Sequence, residues 1–231
     1  MPQFGAPDFW IAVLQIIAID IVLSGDNAVV IALACRNLPP EQRRLGVVWG
    51  VLGAVGLRVV LTAFAASLLS YPYLKLAGGV LLIWIGIKLL LPQEEAGHDI
   101  DASDHLWGAV KTIIVADFVM SLDNVIGVAA AARGSMFLLL FGLAVSIPLI
   151  VWSSRIIMKL MERHPVIVTL GAGLLGYVAG GMMVSDIAIK GWAHGIVPGA
   201  SYVAGALGAA LVVVVGTWIG RRRQSADYSV M

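Results

Sequence analysis

Charge is what this sequence has least of. Only 13% of its 231 residues are charged, about half the roughly 25% expected of a soluble domain, which excludes an ordinary soluble enzyme. The charges that exist nearly cancel, to a net +1. No basic surface is left on which to hold phosphates, and a nucleic-acid binder is excluded too. The single cysteine, Cys35, excludes a disulfide framework and a thiolate metal cage. No basic leader precedes the first apolar stretch, which is too long for a signal core, so it is expected to persist as a span.

What is present is apolar. Hydrophobic residues make up 60% of the chain, and the mean hydropathy is +0.94, which excludes disorder. A membrane span takes about 20 such residues, enough here for seven. Runs bounded by charge or proline predict seven transmembrane helices, at residues 9–35, 41–69, 73–91, 107–132, 136–161, 166–185 and 202–220. Leu38-Pro39-Pro40-Glu41 breaks the chain after the first and starts the second, since proline suits a helix start better than its interior. The longest polar stretch, Pro92 to His105, holds Glu94, Glu95, Asp99, Asp101 and Asp104.

Lysine and arginine positions set the orientation. With the amino terminus outside, the cytoplasmic ends receive Arg36, Arg43, Arg44, Lys88, Lys111, Lys159, Arg163 and Arg221 to Arg223, while the outer ends receive only Lys75, Arg133 and Lys190. Ten against three is a firm positive-inside bias. The carboxyl terminus is then expected in the cytoplasm.

Asp20-Ile-Val-Leu-Ser24-Gly-Asp26-Asn27 reappears 97 residues later as Asp117-Phe-Val-Met-Ser121-Leu-Asp123-Asn124. The same offset maps Arg36 onto Arg133 and Arg58 onto Arg155. A repeat of three spans is odd, so its second copy must cross the membrane in the opposite sense. The expected organisation is an all-α membrane protein of two inverted three-helix repeats plus a seventh helix. In sequence these are residues 8–91, an acidic cytoplasmic loop 92–106, the inverted repeat 107–185, a seventh span 202–220 and a basic tail 221–231.

The motifs fall inside the first and fourth spans, where a lipid-facing carboxylate costs about 2.5–3.5 kcal/mol on the insertion scale. They are therefore expected to face an interior or a water-filled cavity. A bland alternative is helix-to-helix hydrogen bonding with no ligand, but serine and asparagine alone would serve that purpose. Asp20, Ser24 and Asn27 lie on one helical stripe, as do Asp117, Ser121 and Asn124. Asp26 and Asp123 lie off it by a third of a turn or more at about 100° per residue. Local unwinding at Ser24-Gly25-Asp26 would bring the four groups of one motif together and expose carbonyl oxygens.

Asp20, Ser24, Asp26, Asn27, Asp117, Ser121, Asp123 and Asn124 form a hard, oxygen-rich set suited to Mg²⁺, Ca²⁺ or Mn²⁺ rather than copper or zinc. Met120 is a soft neighbour, an accessory ligand favouring manganese or simply packing. Arg58 and Arg155 read as the basic residues deep in spans, each expected to pair with a carboxylate, as structural bridge or as gate. Four carboxylates against two arginines would be balanced by one divalent cation or two protons, which points to exchange of metal for protons.

The paired Asp-x3-Ser-x-Asp-Asn motifs, the seven expected spans and the chain length resemble the TerC family of bacterial integral membrane proteins. More narrowly, the chain looks like the shorter YjbE-type members, described as metal transporters. The resemblance covers roughly residues 8–220. It implies a protein of the bacterial inner membrane that exports manganese as transported ligand, without a prosthetic group. It also implies ion-ligand roles for Asp20, Asp26, Asn27, Asp117, Asp123 and Asn124.

Two rival readings stand beside export. A membrane partner that delivers metal to secreted proteins would need the same ion path. An intramembrane aspartyl protease would use one aspartate from each motif, yet it leaves the asparagines and the duplication without a use. An enzyme is not expected. Asp186 reads either as part of an exit path or as a cap at a span end, and Arg221-Arg222-Arg223 as an anchor near anionic headgroups. The expected partners are the lipid bilayer and the divalent ion, with no nucleic acid, and a homo-oligomer is left open by the sequence.

Overall fold

The computed structural model describes the backbone of residues 7–64, 68, 70–91, 102–131 and 136–228. Among the described residues there are eight helices and no strand. They are α1 (Pro7–Cys35), α2 (Pro40–Ala63), α3 (Leu74–Leu90), α4 (Ala102–Ala131), α5 (Met136–Arg163), α6 (Val166–Val184), α7 (Lys190–Ile196) and α8 (Ala200–Tyr228). Each expected span has its helix, and α7 is an addition, too short to show in hydropathy.

Five stretches of the described residues are long and apolar enough to cross a membrane: Pro40–Ala63, His105–Leu122, Leu140–Arg163, Val166–Val184 and Ala200–Arg222. α3, with 17 residues, is about 25 Å long at 1.5 Å per residue and falls short of a ~30 Å hydrocarbon core. α4 begins at Ala102, upstream of the expected 107. α8 runs to Tyr228, well past 220, because the arginines, glutamine and alanine after Gly220 are good helix formers. The unwinding expected at Ser24-Gly25-Asp26 is not seen, and α1 is helical without a break through it.

The chain divides into two compact units, Met1–Leu69 with Leu106–Lys159 and Ser70–His105 with Leu160–Met231. The first unit is built on α1, α2, α4 and α5, the second on α3, α6, α7 and α8. Each unit thus combines equivalent helices from both copies of the sequence repeat.

In the first unit a stripe of small residues on α2, Gly46, Gly50 and Ala54, lets neighbouring helices come close. Side chains of Cys35 and Leu106 lie over Gly46, and Ile113 lies over Gly50. Contacts on α4 therefore climb in number as those on α2 do, so the two helices run parallel. α1 meets them in the opposite sense, with Cys35 at the Leu106 end and Asn27 at Asp117.

The second unit packs more tightly still. A Cβ added at Gly176 or Gly180 on α6 would collide with the backbone carbonyls of Gly208 and Ala204 on α8. One at Gly79 on α3 would meet the Met183 side chain of α6. Backbones this close gain dispersion contacts that larger side chains would forbid.

α3 begins at a turn in which Tyr73 has φ 66°, unusual for a residue with a Cβ. The carboxylate of Asp186, far along the chain, supports that turn. Its Oδ1 accepts the N–H of Tyr73 (2.9 Å) and Ala188 (2.9 Å), and its Oδ2 those of Lys75 (3.0 Å) and Leu76 (3.2 Å). Asp186 is fully buried, and this bonding caps α3 from the loop after α6. Burial alone pushes its pKa up. The donors from Ala188, Tyr73, Leu76 and Lys75 outweigh that effect and hold the carboxyl below its ordinary value of 3.8.

Candidate metal-ion site

The stripe that carries Gly46, Gly50 and Ala54 along α2 continues one turn later to Arg58. Close packing against α4 is what lets this arginine reach Asp117 and Ser121. Its Nη2 donates to Asp117 Oδ1 in a buried salt bridge, and its Nε donates to Ser121 Oγ at 3.2 Å. Ser121 Oγ donates in turn to Asp117 Oδ2 at 3.2 Å, one helical turn below it. From α1, Asn27 Nδ2 donates to Asp117 Oδ1 at 2.8 Å.

Four polar side chains from three helices thus form one network. Its members are 4% (Asn27), 3% (Arg58), 5% (Asp117) and 0% (Ser121) exposed. A buried carboxylate is tolerable here because a guanidinium, a carboxamide and a hydroxyl all donate to it. Asn27 belongs to the first motif and Asp117 and Ser121 to the second, so the structure joins the two motif copies by a direct hydrogen bond.

One atom of the network is not satisfied. Asn27 Oδ1 is buried and has no donor among the described residues. A buried carbonyl oxygen without a partner loses its hydration with nothing in exchange, at a cost of about 1–3 kcal/mol. A cation is one group that would offset that loss.

Asp26 lies beside the network, half-buried, with Oδ1 accepting the N–H of Asn27 at 2.9 Å. Met120 is buried, and Asn124 is half-buried and has an interaction partner. The side chains of Asp20, Ser24 and Asp123 lie outside the described residues. Among the described residues no three histidine, cysteine, aspartate or glutamate side chains gather as a metal cluster.

Arg155 departs from its repeat-mate. It is exposed on α5, and among the described residues no carboxylate pairs with it. Asp186 is committed to the α3 cap in the second unit. The sequence marks Arg58 as a residue that needs a carboxylate. Its choice of Asp117, in the other motif copy, has no signal in the sequence beyond the shared offset.

The model of the Integral membrane protein TerC family matches residues 5–224. The chain is 45% identical over 179 residues to the Bacillus subtilis (strain 168) protein named Uncharacterized membrane protein YjbE, covering 78% of this chain and 82% of that relative. It is 27% identical over 187 residues to UPF0053 inner membrane protein YgdQ of Escherichia coli (strain K12), covering 73% and 78%. A Bacillus subtilis relative named Uncharacterized membrane protein YceF is 23% identical over 182 residues, covering 75% and 70%. No solved structure matches. With its family model matched almost end to end, its several apolar helices and these relatives, the chain belongs to the TerC family of integral membrane proteins.

Proposed function

We propose that this protein is a transporter that exports a divalent metal cation, Mn²⁺ foremost, through a site built from its two Asp-x3-Ser-x-Asp-Asn motifs. The observation that carries the reading is the buried Asn27 Oδ1, which has no donor among the described residues, in a network that joins both motif copies. An oxygen acceptor held in a water-poor place beside carboxylates is what a hard cation coordinates. The antiparallel approach of α1 and α4, which carry equivalent motifs, supports an inverted repeat around that site.

Arg58 gives the site a built-in countercharge. While its guanidinium holds Asp117, that carboxylate is not offered to a metal ion. Arrival of a cation would release it, so Arg58 acts as the gate in this reading. With Arg155 on the surface, four motif carboxylates would face one guanidinium, and a divalent ion plus one proton would balance them. Export is then coupled to inward proton movement, from a cytoplasmic carboxyl terminus and an external amino terminus.

The test is expression in a manganese-sensitive bacterial strain, with cellular metals measured for the wild type and for Asp20→Asn, Asn27→Leu and Asp123→Asn. The wild type is expected to lower cellular manganese and restore growth, and each variant to lose both effects while reaching the membrane at normal level. Unchanged metal content in every strain would refute export. Flux by the purified protein in proteoliposomes separates transport from metal delivery to a partner. Flux indifferent to an imposed pH gradient would refute the proton coupling.

A further inference from the structure

The repeat equates Arg155 with Arg58, yet one is exposed and the other buried. Counting along the helices gives the reason. Only 13 uncharged residues separate Arg44 from Arg58, about 20 Å of helix, which leaves Arg58 within the hydrocarbon layer. On α5 the uncharged run from Met136 to Ser154 is 19 residues. That is about 28 Å of helix, nearly the ~30 Å hydrocarbon thickness. Arg155 is therefore the first charge after an uncharged run of nearly that length, which suits the level of lipid phosphates.

Its surroundings on α5 fit that level. Lys159 follows one turn farther out, and Trp152, 66% exposed, lies one turn nearer the bilayer centre, where indole rings collect. At about 100° per residue the three side chains fall within an arc of roughly 60°. Ile150, Ser154 and Met158 are buried on the opposite side.

A comparison within the molecule separates this group from ordinary span ends. In α3 and α8 a tryptophan has a basic residue four positions on, and there the cation closes onto its own ring. Lys88 Nζ lies 5.2 Å from the Trp84 centroid, and the Arg222 guanidinium lies 4.0 Å from that of Trp218. On α5, Arg155 and Lys159 make no such ring contact, ion pair or hydrogen bond among the described residues. The nearby acid on this helix, Glu162, is engaged elsewhere.

We propose that Trp152, Arg155 and Lys159 form a binding site for the headgroup phosphate of an anionic phospholipid. The guanidinium suits bidentate contact with phosphate oxygens, and the ammonium adds a point charge one turn outward. The indole packs beside the glycerol region and holds the lipid at that depth. This site is independent of the metal reading, since it uses none of the motif residues.

The test uses the full chain, purified in mild detergent and loaded from mixed phosphatidylcholine and phosphatidylglycerol, with bound lipid counted by native mass spectrometry. The wild type is expected to retain phosphatidylglycerol in preference to phosphatidylcholine. Removing the charge by Arg155→Gln or Lys159→Gln should each lower retention about fivefold, and the pair about 25-fold. The pair Arg44→Gln with Lys111→Gln, which removes equal charge at exposed positions on α2 and α4, should leave retention unchanged. Equal loss in both pairs would mean general surface charge and would overturn the site, as would unchanged retention in both. A change of oligomeric mass without loss of lipid would assign the face to a second copy of the chain and overturn it as well. All four positions are exposed, so the variants should fold, which their melting temperatures check.

Discussion

Arg58 and Asp117 are each removed from water, and each offsets the other's desolvation. Taking away one partner leaves an uncompensated charge in a low-dielectric place, at about 3–5 kcal/mol, whereas replacing both by apolar groups of similar size is often near neutral. Arg58→Met is therefore expected to lower thermal stability in detergent strongly, and Asp117→Leu likewise. The double variant should recover most of the loss. A double variant as unstable as the sum of the singles would show that the pair does not act as a unit. Much of this was legible at the residue scale. The shared offset of the motif and of Arg58 with Arg155 marks these positions in a chain so poor in charge. Which carboxylate Arg58 takes was not legible, because pairing depends on which helices touch, and that information is spread over the small-residue stripe of α2 and its neighbours.

The α3 cap shows how an element can depend on a residue far away in sequence. Tyr73 at φ 66° opens a helix with no capping side chain of its own. Asp186 supplies that cap with two oxygens and four backbone donors. Because the folded protein holds this carboxyl below its ordinary 3.8, the resulting stability is fully present above that value. It fades as pH falls through the lower folded value. Asp186→Asn keeps one acceptor and turns an amide toward donors, so it should cost about 0.5–2 kcal/mol near neutral pH. It should also remove the part of acid destabilisation that belongs to this group. Melting curves from pH 7 downward check this, and a variant with the wild-type acid slope would assign the slope to other groups. The sequence offered Asp186 as a cap or as part of an exit path. Three of the four backbone donors it accepts come from residues more than 100 positions away, and no local pattern names them.

At the scale of the whole molecule, each compact unit takes equivalent helices from both sequence repeats: α1 and α2 with α4 and α5, and α3 with α6. An odd number of crossings, five or seven, places the chain ends on opposite sides of the membrane. A fluorescent protein fused to the carboxyl terminus should therefore mature in the cytoplasm. A cysteine introduced at Gln3 should react with a membrane-impermeant thiol reagent in intact spheroplasts. Cys35 is the natural cysteine and is fully buried, so its background should be low. Labelling that needs permeabilised membranes would reverse the orientation.

Hydropathy, proline breaks, the lysine and arginine distribution and the 97-residue repeat are local or additive properties, and so the sequence by itself determined the helices, the membrane setting and the residues to suspect. It read Arg58 and Arg155 as equivalents, since a repeat records identity and spacing but not surroundings. Tertiary structure decided which arginine enters the interior: α2 buries Arg58 against a carboxylate on α4. α5 leaves Arg155 exposed. Burial and pairing are properties of three-dimensional neighbours, and two copies of one motif acquire different neighbours when they sit on helices of different length and exposure.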